Sequence, residues 1–157
     1  MEKYSAFTST YPGIVSQLKS DAFVIYGKDK FKAIALWDTG ATTTCISESV
    51  AQSLKLIPIG KTSIQTPSGQ KVVNTYMVDV ALPNGVIVQN VLVCDSDIGT
   101  QGIDLLIGMN IINLGEFCVS TYEKKTTFSL IIPPISKADF VPRAKSINGL
   151  NGHNKKK

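Results

Sequence analysis

Short apolar runs, separated by turn-forming residues, recur along the chain from position 22 to position 132. Their length and their content of β-branched and aromatic residues are typical of strands rather than helices. The predicted strands are Ala22–Tyr26, Phe31–Trp37, Thr62–Thr66, Val72–Val80, Val86–Val93, Glu116–Tyr122 and Thr126–Ile132. Thr42–Ile46 is also rich in β-branched residues and is expected to be extended.

Turn signals join consecutive strands into hairpins. Gly27–Lys30 connects the first two strands, and Pro67–Gln70 has the composition of a hairpin tip. Pro83-Asn84-Gly85 is a strong turn signal before the strand at 86–93, and Glu123–Lys125 separates the last two strands. The chain therefore predicts a strand-rich domain.

Two segments predict short helical structure. In Ser47–Lys55 the residues Val50, Ala51 and Leu54 share one face, and Ser47 is a candidate N-cap. Asp104–Ile112 is expected to begin as a buried strand and to end in a helical turn.

Length and composition indicate one folded domain. A chain of 157 residues with 43% hydrophobic and 18% charged residues can bury a substantial core. We expect an N-terminal arm or edge strand at residues 1–21, a folded domain at 22–134 and a basic, disordered C-terminal tail at 135–157.

The net charge of +4 is misleading, because it comes from the tail. From Lys137 onward six basic residues face Asp139 alone, so that this segment carries +5 and residues 1–136 carry −1. The domain therefore gives no electrostatic reason to expect nucleic acid as a partner.

Three cysteines, Cys45, Cys94 and Cys118, are odd in number and widely spaced, which favours free thiols in a reducing compartment. No apolar run approaches the ~20 residues that a membrane span needs. The first residues lack the basic and apolar regions of a signal peptide. We therefore expect a cytoplasmic protein with no membrane association.

The residues with the clearest chemical potential follow the second predicted strand. The apolar run Ala33–Trp37 leads directly into Asp38, followed by Thr39 and Gly40. A carboxylate at the end of a buried strand needs hydrogen bonds, an ion pair or a proton, because its removal from water is costly. Gly40 leaves room for close approach, and Thr39 offers a donor beside the acid. Asp38 is therefore a candidate for acid–base chemistry on water.

Three segments together resemble the retropepsin-like aspartic proteases. Asp38-Thr39-Gly40-Ala41 is similar to the active-site loop of that family, and the hairpin around Ser68-Gly69 lies where the family has its flap. Leu106-Ile107-Gly108 matches the apolar-apolar-glycine segment that follows the flap. The resemblance covers about residues 22–132, almost the whole predicted domain.

The resemblance implies a fold and a set of site residues. The fold would be an all-β, single-domain closed barrel or sandwich with one or two short helices and a flap hairpin. The implied catalytic residue is Asp38. The implied loop support is Thr39, Gly40 and Ala41; the flap and substrate-binding residues are Pro67, Ser68 and Gly69; the residues packed against the loop are Leu106, Ile107 and Gly108.

The resemblance also implies peptide hydrolysis by a homodimer. Aspartic proteolysis uses two carboxylates that share one proton, and Asp-Thr-Gly occurs only once here. The second carboxylate is therefore expected from Asp38 of a second copy, and a polypeptide is the expected substrate. No cofactor or metal is expected. The alternative is a catalytically silent dimerisation or peptide-binding module with the same fold.

One departure from the family pattern concerns packing. Viral members often place an Asp soon after the loop and an Arg after the later glycine, and these pair together. Here Thr42 and Met109 occupy those positions, so both charges are absent and neither is left unpaired.

Competing chemistries find little support in the sequence. The single histidine, His153, lies in the tail, which leaves serine or cysteine catalysis without a base. There is no Cys-x-x-Cys and no glycine-rich nucleotide motif. Asp95-Ser96-Asp97 begins like a calcium loop, but Gly99 and Leu106 stand where ligands belong, so we expect an exposed acidic loop.

Overall fold

The computed structural model describes residues 3–66 and 69–153. The described chain is mostly β-structure with a few short helices. The strands are β1 (Ser5–Thr10), β2 (Leu18–Tyr26), β3 (Asp29–Trp37), β4 (Cys45–Ser47), β5 (Gly60–Thr66), β6 (Gly69–Ala81), β7 (Ile87–Ser96), β8 (Leu105–Ile107), β9 (Glu116–Ser120) and β10 (Thr127–Ile132). The α-helices are α1 (Glu48–Ser53), α2 (Met109–Ile112) and α3 (Val141–His153).

Six strands close into a barrel. The larger sheet has the order β2-β3-β8-β4-β7-β6-β5, and an additional pairing of β2 with β6 closes it. The β3–β8 and β4–β7 pairs are parallel, whereas the hairpins β2–β3, β5–β6 and β6–β7 are antiparallel. The all-β barrel expected from the resemblance is confirmed.

A second, three-stranded antiparallel sheet has the order β1-β10-β9. The predicted closing hairpin corresponds to β9 and β10, which pair from Glu116 opposite Ile131 to Ser120 opposite Thr127. A short 3-10 helix at Tyr122–Lys124 connects them. In this sheet β1 lies at one edge and pairs with β10 along its whole length.

The strand at the N-terminal side of the barrel begins earlier than the sequence pattern predicted. β2 starts at Leu18 rather than at Ala22, because its first residues pair with the end of β3, with Leu18 opposite Trp37. The Tyr11 hydroxyl holds this start through hydrogen bonds with both backbone groups of Lys19. Polar residues at 19–21 concealed this extension from the hydrophobic pattern.

An aromatic cluster around Trp37, the residue before Asp38, joins the two sheets. The Trp37 ring stacks on Phe117 at 5.8 Å between centroids and lies 5.4 Å from Phe7. The ring of Phe128, which is fully buried, is edge-on to Phe7. Trp37 also donates a hydrogen bond from Nε1 to the Ser20 hydroxyl. The residue that precedes Asp38 is therefore fixed by packing on several sides.

The predicted helix after β4 is confirmed, but its expected cap is only partly correct. Ser47 occupies the N-cap position of α1 with extended backbone angles. Its hydroxyl makes no capping bond and instead lies 2.8 Å from the hydroxyl of Ser49. Val50 and Ala51 are buried on the inner face, as the pattern predicted.

The segment after Pro134 contains a helix where the sequence predicted disorder. Asp139 Oδ1 accepts a hydrogen bond from the Val141 N–H at the start of α3, which gives the helix a local cap. The described side chains of α3, from Val141 to Gly149, are exposed. The division into arm, domain and tail stays a prediction.

No helix in the described part of the chain is both long and apolar enough to cross a membrane.

Candidate active site

Asp38 stands where β3 leaves the barrel. Its backbone N–H donates a hydrogen bond to the Ile107 carbonyl at 3.0 Å, which continues the parallel pairing of β3 with β8. The pair Trp37 and Ile107, directly before this bond, is buried. The main chain at Asp38 is therefore anchored to the barrel, while its side chain is half-buried at the surface.

The loop after Asp38 folds back on its carboxylate. The Gly40 N–H donates a hydrogen bond to Asp38 Oδ1 at 2.8 Å, and the Ala41 N–H donates to the Asp38 carbonyl at 3.2 Å. A Cβ atom at position 40 would lie 3.1 Å from Oδ1, so a larger residue would crowd the carboxylate. Thr39 is exposed at the tip of this turn. One oxygen of the acid is thereby oriented by the backbone.

The segment after β8 crosses the same loop at close range. A Cβ atom at Gly108 would lie 2.8 Å from the carbonyl carbon of Thr43 and 2.9 Å from the Ala41 oxygen. The next residue, Met109, donates its N–H to the Ala41 carbonyl at 2.8 Å. Only glycine permits this approach of two backbones. The structure thus brings Ile107 and Gly108 against the Asp38 loop, and Leu106 lies half-buried in β8.

Two residues that the sequence analysis did not single out also hold the loop. Asn110 Oδ1 accepts a hydrogen bond from the Thr44 N–H at 2.9 Å and a second from the Thr44 hydroxyl at 2.7 Å. The hydroxyl in turn accepts from the Gly108 N–H at 3.1 Å. The sequence signal was weak, because a threonine before a short strand and an asparagine in a helical turn are both common.

At the two positions that depart from the viral pattern, Thr42 and Met109, backbone hydrogen bonds run to a neighbour of the other position. The Thr42 carbonyl accepts the Asn110 N–H at 3.2 Å, and the Met109 side chain is half-buried. The ion pairs found among the described residues are exposed and lie elsewhere, between Lys32 and Asp21 and between Lys71 and Asp97.

The hairpin predicted as a flap is present as β5 and β6, which pair from Gly60 opposite Thr75 to Thr66 opposite Gly69. Pro67 and Ser68, at its predicted tip, lie outside the described residues. Gly69 has a φ of +115°, a backbone conformation that other residues adopt only with strain. The assignment of this hairpin as a flap stays a prediction.

The predicted exposed acidic loop at 95–97 is wrong in part, because Asp95 and Ser96 end β7 and are half-buried. The Asp95 carboxylate accepts hydrogen bonds from the Asn74 N–H at 2.9 Å and from the Tyr76 hydroxyl at 3.2 Å. Burial and the negative charge of Asp95 raise the pKa of Tyr76. The Asp95 carboxylate therefore bonds to groups of the neighbouring strand β6.

A cavity of about 340 Å³ lies beside Asp95, away from the Asp38 loop. Its walls carry charges of both signs. They include Glu48, Lys61, Lys71, Asn74 and Asp97. Among the described residues, no group of three His, Cys, Asp or Glu side chains could hold a metal ion.

The sequence matches a family model described as aspartyl protease over residues 24–111, which is more than half of the chain. The chain belongs to this aspartyl protease family. The matched segment contains Asp38 and Gly108, which the site geometry connects, and also the β5–β6 hairpin.

Solved structures of proteases were also found among the matches. The crystal structure of a retropepsin-like aspartic protease from Rickettsia conorii matches with a TM-score of 0.55 at 15% sequence identity, covering 84% of this chain and 98% of that chain. The solution structure of the Simian Foamy Virus (mac) protease matches with a TM-score of 0.44 at 24% identity, covering 61% of this chain and 92% of that chain. No curated protein matches the sequence at a significant level. The Rickettsia conorii match shows that the fold is that of the retropepsin-like proteases.

Proposed function

We propose that this protein is an aspartic endopeptidase whose catalytic dyad consists of Asp38 from two copies of the chain. The observation that carries the proposal is the Asp38 loop. Its carboxylate is oriented by the Gly40 N–H, and its backbone is fixed to Ile107 at the open end of a barrel strand. Membership of the aspartyl protease family supports the same reading.

A single chain supplies half of this chemistry. Peptide hydrolysis of this type needs two carboxylates that share one proton, so that one activates water and the other donates to the peptide carbonyl. Two other carboxylates at the barrel strands are already engaged. Asp104 Oδ2 accepts the Ile34 N–H at 2.8 Å, and Asp95 is bonded to Asn74 and Tyr76. A two-fold axis that places two Asp38 loops together completes the dyad.

The remaining predicted residues act around this dyad. Thr39, which is exposed at the loop tip, and Gly40 brace the two loops against each other across the axis. The hairpin with Pro67, Ser68 and Gly69 closes over the substrate. An extended polypeptide then binds through strand-like backbone hydrogen bonds, and side-chain pockets select its sequence.

Incubation of the purified protein with a mixed peptide library, followed by sequencing of the products, tests the proposal. Wild-type protein is expected to cut internal peptide bonds at a restricted set of sites. Asp38→Asn keeps the shape of the side chain but not its basicity, so cleavage falls by at least ~100-fold. Circular dichroism and sedimentation show whether the variant keeps its fold and assembly.

Two results would count against the proposal. Equal cleavage by Asp38→Asn and wild type would remove Asp38 from the mechanism. Peptide binding without any cleavage by the wild-type protein would favour the silent binding module with the same fold.

A further inference from the structure

Two cysteines that the proposed mechanism does not use lie against each other in the barrel. The sulfur atoms of Cys45 and Cys94 are 3.0 Å apart, and both residues are free thiols. Cys94 is only 1% exposed, whereas Cys45 is half-buried and so remains open to small solutes. Cys118 is exposed on β9, in the other sheet.

The backbone already has the spacing that a disulfide needs. Cys45 and Cys94 are direct partners in the parallel β4–β7 pair, and the Thr44 carbonyl accepts the Cys94 N–H at 3.3 Å. Paired strands lie about 4.8 Å apart, within the range of about 4.4–6.8 Å between Cα atoms that disulfides span. Since an S–S bond is about 2.05 Å long, the two sulfurs need to move by only about 1 Å.

This pair belongs to the same face of the sheet as the candidate site. Leu36 is paired with Leu106, and Leu106 is paired with Cys45. Side chains of directly paired residues point to one face, so these three and Cys94 form a row across four strands. Asp38 follows Leu36 by two residues and, by strand alternation, belongs on that face. The side chains of this row therefore lie on the face of the sheet beside the Asp38 loop.

The electrostatics agree with this placement. The hydrogen bond with Cys94 raises the pKa of Cys45, and burial and the charges of Asp95 and Asp38 raise it further. The same hydrogen bond lowers the pKa of Cys94. A thiolate at either sulfur would lie directly against the other thiol, which is the arrangement from which a disulfide forms.

We propose that Cys45 and Cys94 form a reversible disulfide site beside the substrate groove, and that its oxidation suppresses peptide cleavage. The second part rests on the proposed function, whereas the first does not. The oxidant is of the hydroperoxide class, and a small dithiol reverses the reaction.

The reaction balances with hydrogen peroxide as the oxidant. The thiolate attacks one peroxide oxygen, the O–O bond breaks, and the departing hydroxide takes up a proton to become water. The resulting sulfenic acid is attacked by the second thiol, which forms the S–S bond and releases a second water. The two sulfurs are oxidised, and the peroxide is reduced.

The expected loss of activity follows from the position of Cys45. It comes directly after the Asp38–Thr44 segment, and its sulfur is also 3.6 Å from the Thr43 carbonyl. A movement of β4 toward β7 would shift the loop that Gly108 and Asn110 hold. A displacement of about 1 Å in an active site can lower a rate by ~100-fold.

The test uses full-length Cys118→Ser protein, which keeps the pair and removes the exposed thiol that could link chains. Its matched control is the double variant Cys45→Ser with Cys118→Ser, altered at the half-exposed member so that folding is preserved. Both are treated with hydrogen peroxide and then with dithiothreitol. Peptide mapping without reduction measures the Cys45–Cys94 bond, and cleavage of a library-derived peptide measures activity.

Peroxide is expected to produce the Cys45–Cys94 bond in Cys118→Ser, to lower its cleavage rate at least tenfold, and to do neither in the control. Dithiothreitol is expected to restore the rate. If the Cys45–Cys94 bond does not form at peroxide levels that oxidise Cys118 in wild-type protein, the proposed disulfide site is wrong. If the bond forms but the cleavage rate does not fall, the proposal that oxidation suppresses cleavage is wrong. If reduced protein cleaves no peptide, the proposed function fails, while the mapping still decides the disulfide site.

Discussion

Asn110 Oδ1 accepts hydrogen bonds from both the backbone N–H and the hydroxyl of Thr44, a residue 66 positions away that is fully buried. Thr44 ends the Asp38 loop, and Asn110 lies in the helix that follows Gly108. One amide oxygen therefore satisfies two buried donors and ties the end of the loop to α2. Hydrogen bonds such as this one, rather than an ion pair, join the two segments.

Asn110→Ala should destabilise the protein by about 1–3 kcal/mol, because it leaves the buried Thr44 N–H without an acceptor. Asn110→Asp keeps an oxygen at that position and should lose less. Urea denaturation of the purified variants measures both. Asn113→Ala, at an exposed asparagine just after α2, is the control and should change stability by less than about 0.5 kcal/mol. Equal stability of the Asn110→Ala and Asn113→Ala variants would show that Asn110 does not hold the loop.

Gly108→Ala should damage both stability and activity. Its φ of −95° suits alanine, so the cost comes from the new Cβ atom against the backbone of Ala41 and Thr43. Overpacking of this kind costs about 1–3 kcal/mol, and it would displace the Asp38 loop. Thermal unfolding and peptide cleavage rates measure the two effects. The control is Gly13→Ala, where a Cβ meets nothing within 4 Å, and it should change neither stability nor cleavage rate. A normal cleavage rate in Gly108→Ala would contradict the proposed support of the Asp38 loop by Gly108.

A comparison of two turn glycines tests whether the β5–β6 hairpin is a flap. Gly69 and Gly85 have φ values of +115° and +79°, and a Cβ at either position meets nothing within 4 Å. Alanine at either position should therefore cost about 1–2 kcal/mol through backbone strain alone. Only Gly69→Ala should also lower kcat/KM, because a flap must change conformation during turnover. If both variants cleave peptides at the wild-type rate, the hairpin does not act as a flap.

Subunit mixing tests the shared dyad directly. Wild-type chain is unfolded and refolded with an equal amount of Asp38→Asn chain, which should yield about a quarter wild-type, half mixed and a quarter mutant dimers. Mixed dimers hold one carboxylate and one amide, so activity per wild-type chain should fall by about half. Wild-type chain refolded with itself is the control. Unchanged activity after verified exchange would exclude a site made from two subunits.

Dilution provides an independent measurement of the same mechanism. If each copy contributes one Asp38, a monomer lacks the dyad, and specific activity should fall below the dimer dissociation constant. Sedimentation at matched concentrations should show dissociation over the same range. A specific activity that stays constant while the dimer dissociates would place the whole site within one chain.

The local pattern of the sequence was sufficient to predict the strands, the turns and the candidate catalytic acid, Asp38. The apolar run before Asp38, the turn at Pro83–Gly85 and the closing hairpin each carry their signal within a few residues, and the structure has them where they were predicted. The hydrophobic pattern failed where pairing outweighed it, as in the early start of β2 at Leu18. The helix at 141–153 was not foreseen because its exposed residues show no apolar face.

Only the tertiary structure decided how distant segments meet around Asp38. The parallel pairing of β3 with β8 places Ile107 against Asp38, and the crossing at Gly108 brings Asn110 to Thr44. The parallel pairing of β4 with β7 brings Cys45 to Cys94, 49 residues apart. Parallel strands are joined by long connections, so no local turn sets their register. These contacts become fixed only when the barrel closes and its buried faces pack together.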